Sequence, residues 1–110
     1  MDRASYDRYL ARFNRCDPTA FADYMTPDAR MINGALEMRG IAAIQGHYVA
    51  RIWPYFEETV NVERFVLDGS TLAARLWTHF VARNDAETVF GSVQRGEMFD
   101  YRGLVMYEIV

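Results

Sequence analysis

The sequence contains very little cysteine, since Cys16 is the single one among 110 residues. One cysteine excludes an internal disulfide, so the chain is compatible with a reducing compartment. Long apolar runs are missing as well, and the charged start MDRASYDRYL lacks the apolar stretch of a secretory signal. We therefore expect a soluble cytoplasmic protein without a membrane span.

Positive charge does not dominate either: the formal net charge is -3, and the basic residues are scattered along the chain. A stripe of the kind that neutralises phosphates is absent, which argues against a nucleic-acid partner. Two histidines and scattered acids show no metal-ligand spacing. Gly34, Gly40 and Gly46 are too far apart for a phosphate-binding loop, and there is no nucleophile-elbow serine. We expect no metal and no cofactor.

Aromatic side chains, by contrast, are plentiful at 15% of the residues. A chain of this length buries roughly 60 to 70% of the surface that it exposes when unfolded, which is enough for one modest core and not for two. We therefore expect one domain over residues 1–110. These aromatic residues need either a core or a pocket in which to be buried.

Three segments have the three- and four-residue spacing of amphipathic helices. The first covers about residues 3–15 and buries its aromatic side. The second opens at Asp17-Pro18, a helix-start signal, and stops at Thr26-Pro27. The third runs from Ile41 to about Trp53 and is ended by Pro54.

Strand patterns follow the helices. A short strand is predicted over residues 29–32, and from Thr59 onward the apolar period is close to two, with a hairpin turn at Asp68-Gly69. One or two further strands are expected between Phe90 and Val110, with Gly103 as the candidate for a bulge. The order predicts an α+β fold, in which helices pack on one side of a curved antiparallel sheet.

The segment YLARFNRCDPTAFADYMTPDARMING, residues 9–34, resembles the amino-terminal half of ketosteroid isomerase-like proteins. The later RGIAAIQGHY resembles the start of their third helix, so the resemblance covers nearly the whole chain. It implies the nuclear-transport-factor-2-like (NTF2-like) superfamily with its SnoaL-like enzymes, and a cone-shaped, cystatin-like roll. It also implies that a final strand is missing at the C-terminus, either because the sheet is one strand short or because the sequence is incomplete there.

In that family the cone holds a small apolar ligand, and the resemblance implies a hydrophobic pocket of this kind here. Such pockets are mainly apolar, with a few polar groups that fix the ligand's orientation. Besides Tyr9, the candidate ligand-binding residues are Phe13, Trp53, Tyr55, Trp77 and Phe99. The alternative for each of them is that it fills the core.

Carrying the ketosteroid isomerase site over places Tyr9 where the family keeps the tyrosine that donates to the oxyanion. The catalytic Asp falls on Asn33, whose amide has no basic lone pair. The second oxyanion donor, a protonated acid, falls near Val105. A true ketosteroid isomerase is therefore not expected, although Tyr9 and Asn33 are predicted to line one cavity. The alternative for Asn33 is that it merely holds the turn at Gly34.

Limonene-epoxide hydrolase is the second comparison within this superfamily. Asn33 and Arg75 match its Asn and Arg. However, Trp77 stands where an acid should follow Arg75, and Met31 stands near the Tyr position. The resemblance therefore does not supply the group that activates water in that enzyme.

His79 shares one strand face with Arg75 and Trp77, because side chains alternate along a strand. If this face looks inward, His79 is a general acid/base; otherwise it lies on the surface or against a dimer partner. Asp100, on a late strand, is either a pocket base whose pKa burial raises or a solvated carboxylate. The pattern alone does not decide which face looks inward.

Two functions remain open from the sequence. One is acid–base catalysis on a small apolar molecule, as an isomerase, cyclase or epoxide-hydrolase-like enzyme, with Tyr9, Asn33, Arg75, His79 and Asp100 as polar groups. The other is a non-catalytic module that binds a ligand or dimerises. We expect a homodimer, because helices on one face of a sheet leave the other face uncovered.

Overall fold

The computed structural model describes residues 1–33 and 35–109, except for the side chain of Asn33. Helix α1 spans Arg3–Asn14, and the Asp2 carboxylate caps it by accepting a hydrogen bond from the Ser5 backbone N–H at 2.8 Å. Its buried side consists of the four residues whose spacing predicted it: Tyr6, Tyr9, Leu10 and Phe13. The first predicted helix is therefore confirmed to within one residue.

Helix α2 is shorter than predicted and spans Ala20–Tyr24. Asp17 does not cap it directly; its carboxylate accepts hydrogen bonds from the Thr19 backbone and hydroxyl and pairs with Arg12 at 2.8 Å. The Thr19 and Arg12 contacts lower the pKa of Asp17 to about 2. The Asp17-Pro18 signal therefore organises the turn that precedes the helix.

The third predicted helix is present but changes its geometry halfway. Helix α3 spans Ile41–His47, and the backbone continues as a π-helical segment over Tyr48–Ile52 before Trp53 and Pro54. A π-helix has one extra residue per turn, is rare and occurs often at functional sites. This segment directs Tyr48, Ile52 and Trp53 toward the core.

The strands form one main sheet and two small hairpins. The main sheet has the antiparallel order β3-β4-β7, and each hairpin pairs two short consecutive strands. The strand bounds are β1 Arg30–Asn33, β2 Leu36–Arg39, β3 Phe56–Asp68, β4 Thr71–Ala82, β5 Ala86–Thr88, β6 Gly91–Val93 and β7 Met98–Glu108. The β1–β2 hairpin extends the single short strand that the sequence predicted.

The turn between β3 and β4 lies where the sequence placed it, because Gly69 adopts a φ of 59° that suits a tight hairpin. The predicted bulge at Gly103 is wrong. The pairing of β4 with β7 runs without a shift through Leu76 and Gly103, whereas the register shift lies in β3 between Val62 and Arg64. The irregularity thus bends the strand that carries the buried carboxyl described below.

Alternation along β4 shows which face of the sheet the helices cover. Leu72, Ala74, Phe80 and Ala82 are buried, and we call their side the inner face. The opposite side, the outer face, carries the odd-numbered residues of β4. Tyr6 of α1 reaches across the inner face and contacts the rings of Phe65 on β3 and Tyr107 on β7. The core therefore lies between the helices and the inner face.

Asn14, the last residue of α1, holds the helix to the edge of the sheet. Its side-chain amide donates to the backbone carbonyl of Val60 at 3.1 Å and accepts from the Val60 N–H at 2.8 Å. Both free backbone groups of this β3 residue are thereby satisfied. Among the described residues, no helix is long and apolar enough to cross a membrane.

Candidate functional site

The inner face contains one acidic side chain. Alternation along β3 directs Phe56, Glu58 and Val60 into the core, and Glu58 is 8% exposed. Within residues 1–33 and 35–109 it is the only charged side chain that is buried. A buried carboxyl without a cation is costly in its ionised form, so such groups are uncommon outside functional sites.

The Glu58 carboxyl has almost no compensating contacts. Its Oε1 atom is fully buried and has no hydrogen-bond partner in the described part of the chain, and the same holds for Nε1 of the Trp53 indole. Burial raises the pKa of Glu58 to about 7, and the neighbouring Trp53 N–H opposes the rise only in part. Near neutral pH the carboxyl therefore exists in both protonation states, as proton transfer requires.

Two tyrosines, Tyr9 and Tyr48, lie near this carboxyl. Burial raises the pKa of Tyr9 and of Tyr48, and the neighbouring Glu58 raises both further. Tyr107 also raises the pKa of Tyr9 and Tyr48, but the register places it opposite Leu72, near the other end of β4 from Phe80, the partner of Glu58. Each phenol therefore holds its proton more tightly than an ordinary tyrosine and is a neutral hydrogen-bond donor near neutral pH.

The helices place these groups through aromatic packing. Tyr48 packs edge-on against Phe13 at 5.1 Å between ring centroids and stacks on Phe21 at 5.4 Å. Trp53 packs against the same two phenylalanines, at 5.6 and 6.0 Å. The π-helical segment and the residue that follows it thus place Tyr48 and Trp53 in the core, close enough to Glu58 for the carboxyl to raise the pKa of Tyr48 and for the Trp53 N–H to lower that of Glu58.

The outer face is chemically different. His79 Nδ1 contacts Asp100 Oδ1, and this bond is the largest of the effects that lower the pKa of Asp100. Arg102 lies over the Trp77 ring at 4.9 Å. Glu63, at the bulge of β3, lies 3.6 Å from Arg75 and 3.5 Å from Arg102. The His79–Asp100 contact and the charges of Glu63 with the two arginines lie on a partly solvated surface.

The residues predicted as catalytic thus fall into two groups on opposite faces of the sheet. Tyr9 lies in the core beside Glu58, whereas Arg75, His79 and Asp100 lie on the outer face. The structure brings His79 and Asp100 into direct contact with each other but does not bring either to Tyr9. The side chain of Asn33 lies outside the described residues.

The predicted ligand-binding residues are also divided between regions. Phe13 and Trp53 pack around Tyr48 near Glu58, while Phe99 belongs to a second aromatic cluster with Phe56, Phe80, Phe90 and Tyr101. Tyr55 is half-buried, and Trp77 faces outward. Phe99 stacks on Phe80, the register partner of Glu58, so Phe13, Trp53 and Phe99 lie on the inner side of the sheet in the region of the carboxyl.

Two open concavities lie away from Glu58, each about 310 Å³ in volume. One lies between the β5–β6 hairpin and β7 and is bounded by Phe90, Phe99 and Tyr101. The other lies between the π-helical segment and the same hairpin, beside Arg51 and Tyr55. Both flank the turn of the hairpin, where Val89 and Phe90 are exposed.

Val105 occupies the position that the ketosteroid isomerase resemblance gives to an acid. It pairs with Ala74 across β4 and β7 and packs partly buried against the core, so the inner face has a methyl-bearing side chain there. Tyr107 lies two residues further along the same face. The acid of this core is instead supplied by β3.

The sequence analysis did not predict a role for Glu58, although the strand pattern around it indicates a buried carboxyl. The stretch from Phe56 to Val62 alternates Phe, Glu, Val, Val at every second position, so the acid falls on the apolar side of the strand. An isolated acid within an apolar stripe indicates a buried carboxyl. In the described ranges, no group of three His, Cys, Asp or Glu side chains is arranged to hold a metal ion.

Comparison with solved structures shows the NTF2-like fold. TsrD from Streptomyces laurentii is 20% identical with a TM-score of 0.73, covering 100% of this chain and 82% of that one. A candidate polyketide cyclase from Xanthomonas campestris pv. campestris is 19% identical with a TM-score of 0.75, covering 93% and 76%. An M. tuberculosis LEH-like epoxide hydrolase is 12% identical with a TM-score of 0.69, covering 97% and 68%.

The sequence model of the SnoaL-like domain matches residues 6–110. The chain therefore belongs to the SnoaL-like domain family. No curated protein matches it significantly.

Proposed function

We propose that this protein is an acid–base enzyme that moves a proton beside the carbonyl group of a small, neutral, largely apolar molecule, such as a polyketide-like ketone. Glu58 is the group that takes and returns the proton. The proposal depends on one observation: a carboxyl buried among tyrosines, with a free oxygen and a pKa of about 7. A general base works best when its pKa lies near the working pH.

The Glu58 carboxylate removes a proton from the carbon next to the carbonyl, and the C–H electron pair moves toward the carbonyl oxygen, giving an enolate. Protonated Glu58 then returns the proton to the same carbon or to a conjugated one. Neutral phenols around the carboxyl can hold the developing oxyanion by hydrogen bonds, which are strong in a site without water.

A neutral substrate follows from the charges of the site. Glu58 is the one buried charged side chain of the described residues, so no buried arginine offsets the charge of an anionic ligand. A carboxylate or phosphate beside Glu58 would add like charge in a region of low dielectric. Two candidate relatives, a polyketide cyclase and an epoxide hydrolase, share the fold and are consistent with small organic substrates.

The test is hydrogen–deuterium exchange next to a carbonyl, followed by NMR on a panel of neutral cyclic, aromatic and methyl ketones in heavy water. Glu58→Gln keeps the shape of the side chain but removes the base. We expect it to lower exchange by a factor on the order of 10² to 10⁴, the usual contribution of a positioned base.

Glu57→Gln is the matched control, because Glu57 is adjacent on β3 but exposed on the outer face. It should leave exchange unchanged. Equal exchange in wild type and Glu58→Gln, on a ketone that the protein accelerates, would contradict the role of Glu58.

The aromatic packing of the core favours a second candidate function, which is ligand binding without catalysis. Phe13, Tyr48 and Trp53 pack against one another in the core that contains Glu58, and Glu58 lines neither of the two concavities. A protein that binds a neutral ligand in this core without reacting would have the same aromatic lining. Binding of ketones without any protein-dependent exchange, in wild type as in Glu58→Gln, would support this non-catalytic binding function instead.

A further inference from the structure

The turn of the β5–β6 hairpin places one aromatic ring against the main sheet. Phe90 lies in this turn, and its ring contacts Phe56 on β3 and Phe80 on β4, at 5.5 and 5.2 Å between ring centroids. It also contacts Phe99 on β7 at 5.4 Å. Phe90 is 40% exposed, so one part of its ring faces solvent while another part covers these phenylalanines.

Two of the covered phenylalanines are inner-face neighbours of Glu58. Phe80 is the register partner of Glu58 on β4, and Phe56 precedes Glu58 by two residues on the same side of β3. Side chains paired across an antiparallel sheet have Cβ atoms about 5 Å apart, and residues two apart along a strand are about 7 Å apart. Phe90 therefore covers the part of the inner face next to the carboxyl.

The same ring is also a wall of one of the two concavities. The concavity between the hairpin and β7, which we call the aromatic concavity, is bounded by Phe90, Phe99 and Tyr101 and has a volume of about 310 Å³. Phe99 stacks on Phe80 at 5.0 Å, so the aromatic lining continues from the concavity to the register partner of Glu58. Displacement of the Phe90 ring would extend the concavity toward the carboxyl.

The second concavity is a less suitable route to Glu58. It is bounded by Arg51 and Glu87, together with Tyr55 and Val89. Charged side chains at an entrance favour a polar ligand, whereas the core around Glu58 consists of apolar and aromatic side chains. The aromatic concavity therefore fits a neutral ligand better.

The hairpin can move its tip without disrupting the main sheet. β5 and β6 form a separate two-stranded sheet, and Val93, paired with Ala86 at its base, is 6% exposed and anchors it. In the turn, the Thr88 hydroxyl accepts a hydrogen bond from the Phe90 N–H at 3.1 Å and donates one to the Gly91 carbonyl at 2.9 Å. The turn thus keeps its own hydrogen bonds when the Phe90 ring leaves the sheet, as loops that admit substrates do.

We infer that the aromatic concavity is the entrance through which the substrate of the proposed reaction reaches Glu58, and that Phe90 limits the size of the ligand that enters. The substrate class is a flat, neutral ketone with one or two aromatic rings, because the walls are aromatic and the volume is at the lower end of the roughly 300 to 1,000 Å³ of small-molecule pockets. The inference rests on the proposed function for the reaction, whereas entry past Phe90 requires only binding.

The experiment is an NMR titration of protein labelled with carbon-13 at the glutamate carboxyl groups. The probes are acetophenone, which has one ring, and 2-acetylnaphthalene, which has two fused rings. Each is titrated into wild type, Phe90→Ala, Phe90→Trp and Val89→Ala, and the Glu58→Gln spectrum identifies the Glu58 signal. Val89→Ala is the matched control, because Val89 is the adjacent exposed residue of the same turn but lines the second concavity.

We expect Phe90→Ala to raise the affinity for 2-acetylnaphthalene relative to acetophenone by about tenfold, because a few methylene-sized groups in an apolar pocket change binding by this factor or more. Phe90→Trp should lower the same ratio by roughly threefold or more. Val89→Ala should keep the wild-type ratio. In wild type and in all three variants, the bound ketone should shift the Glu58 carboxyl signal.

An unchanged ratio in Phe90→Ala overturns the inference, and so does an equal change in Val89→Ala. Binding that leaves the Glu58 signal in place, or failure of wild type to bind either ketone, overturns it as well. If Phe90→Ala does not fold, Phe90→Trp decides, because an unchanged ratio there removes the size limit.

The titration needs no turnover, so its outcome is separate from that of the proposed function. A ratio that depends on Phe90 without any deuterium exchange would contradict the reaction and leave the entrance in place. Exchange that depends on Glu58, with a ratio that does not depend on Phe90, would support the reaction and overturn the entrance.

Discussion

Each face of the main sheet has a carboxyl near a tryptophan, and the pKa values of the two carboxyls are shifted in opposite directions. On the inner face Glu58 lies near Trp53, and burial raises its pKa to about 7. On the outer face Asp100 lies near Trp77, and the bond to His79 lowers its pKa. The indole N–H groups of both tryptophans are buried without a hydrogen-bond partner in the described part of the chain.

The pKa of each carboxyl therefore depends less on the neighbouring tryptophan than on its hydrogen-bond partner and on its exposure to solvent. Asp100 has a histidine as partner and water around it, so it keeps its charge, whereas Glu58 has neither. Position on the apolar side of a strand thus distinguishes a carboxyl whose pKa is raised from one whose pKa is lowered. The outer His79–Asp100 pair has the composition of a catalytic dyad, but it lies on a partly exposed surface.

The pH dependence of exchange tests this difference most strongly. If Glu58 is the base, the exchange rate should rise by roughly a hundredfold from about pH 5 to about pH 8, because only the ionised carboxylate reacts. Asp100→Asn should leave the profile unchanged. A profile that moves with Asp100 rather than with Glu58 would reverse the assignment of the two faces.

The free energy of unfolding should depend on pH through the same group. The pKa of folded Glu58, about 7, lies above its ordinary value of 4.5, so the folded state holds the proton more tightly. The stabilisation is complete below the ordinary pKa and is lost as the pH rises through the folded one. We expect a loss of about 2 to 3 kcal/mol from about pH 5 to about pH 8.

Denaturant unfolding at several pH values measures this loss. In Glu58→Gln the titration is absent, so the variant should lose less stability than wild type over the same range. Parallel curves for the two proteins would mean that Glu58 is not desolvated in the folded state.

The helices cover the inner face of the sheet, so a second copy of the chain could cover the outer face. We propose a homodimer formed there, since Leu104 is 81% exposed and Met106 72% exposed beside the Arg75–Glu63–Arg102 charges, whose alternating signs suit a two-fold contact. Met106→Glu should weaken dimerisation by at least about tenfold.

Sedimentation equilibrium at concentrations on the order of tens of micromolar measures the association. Val89→Glu is the matched control, because Val89 is an exposed apolar residue on the β5–β6 hairpin, away from this face. A wild-type monomer, or equal weakening by the two substitutions, would show that the outer face is not the interface.

Much of the fold could be predicted because its signals are local. Helical spacing gave α1 nearly to the residue, and the Asp68-Gly69 turn fixed the β3–β4 hairpin. The change to π-helical geometry at Tyr48 has no comparable local signal, since it depends on packing. The sequence also does not show which face of β4 is buried, because both faces mix polar and apolar residues, with Thr78 on one and Trp77 on the other.

The candidate site was predicted only in part, and for a related reason. The ketosteroid isomerase resemblance places the acids of the site at the positions of Asn33 and Val105. It therefore does not predict the acid Glu58 on β3. Tyr9 was found because it lies on a helix whose burial is periodic.

The clamp between Asn14 and Val60 has a consequence for assembly through strand edges. β3 is an edge strand, and the N–H and carbonyl groups along an unprotected edge are a template for pairing with another chain. Asn14 occupies both of these groups at Val60, and α1 stands where an added strand would continue. The Asn14 amide therefore blocks strand addition at Val60, and loss of Asn14 would leave these backbone groups free to pair with another chain.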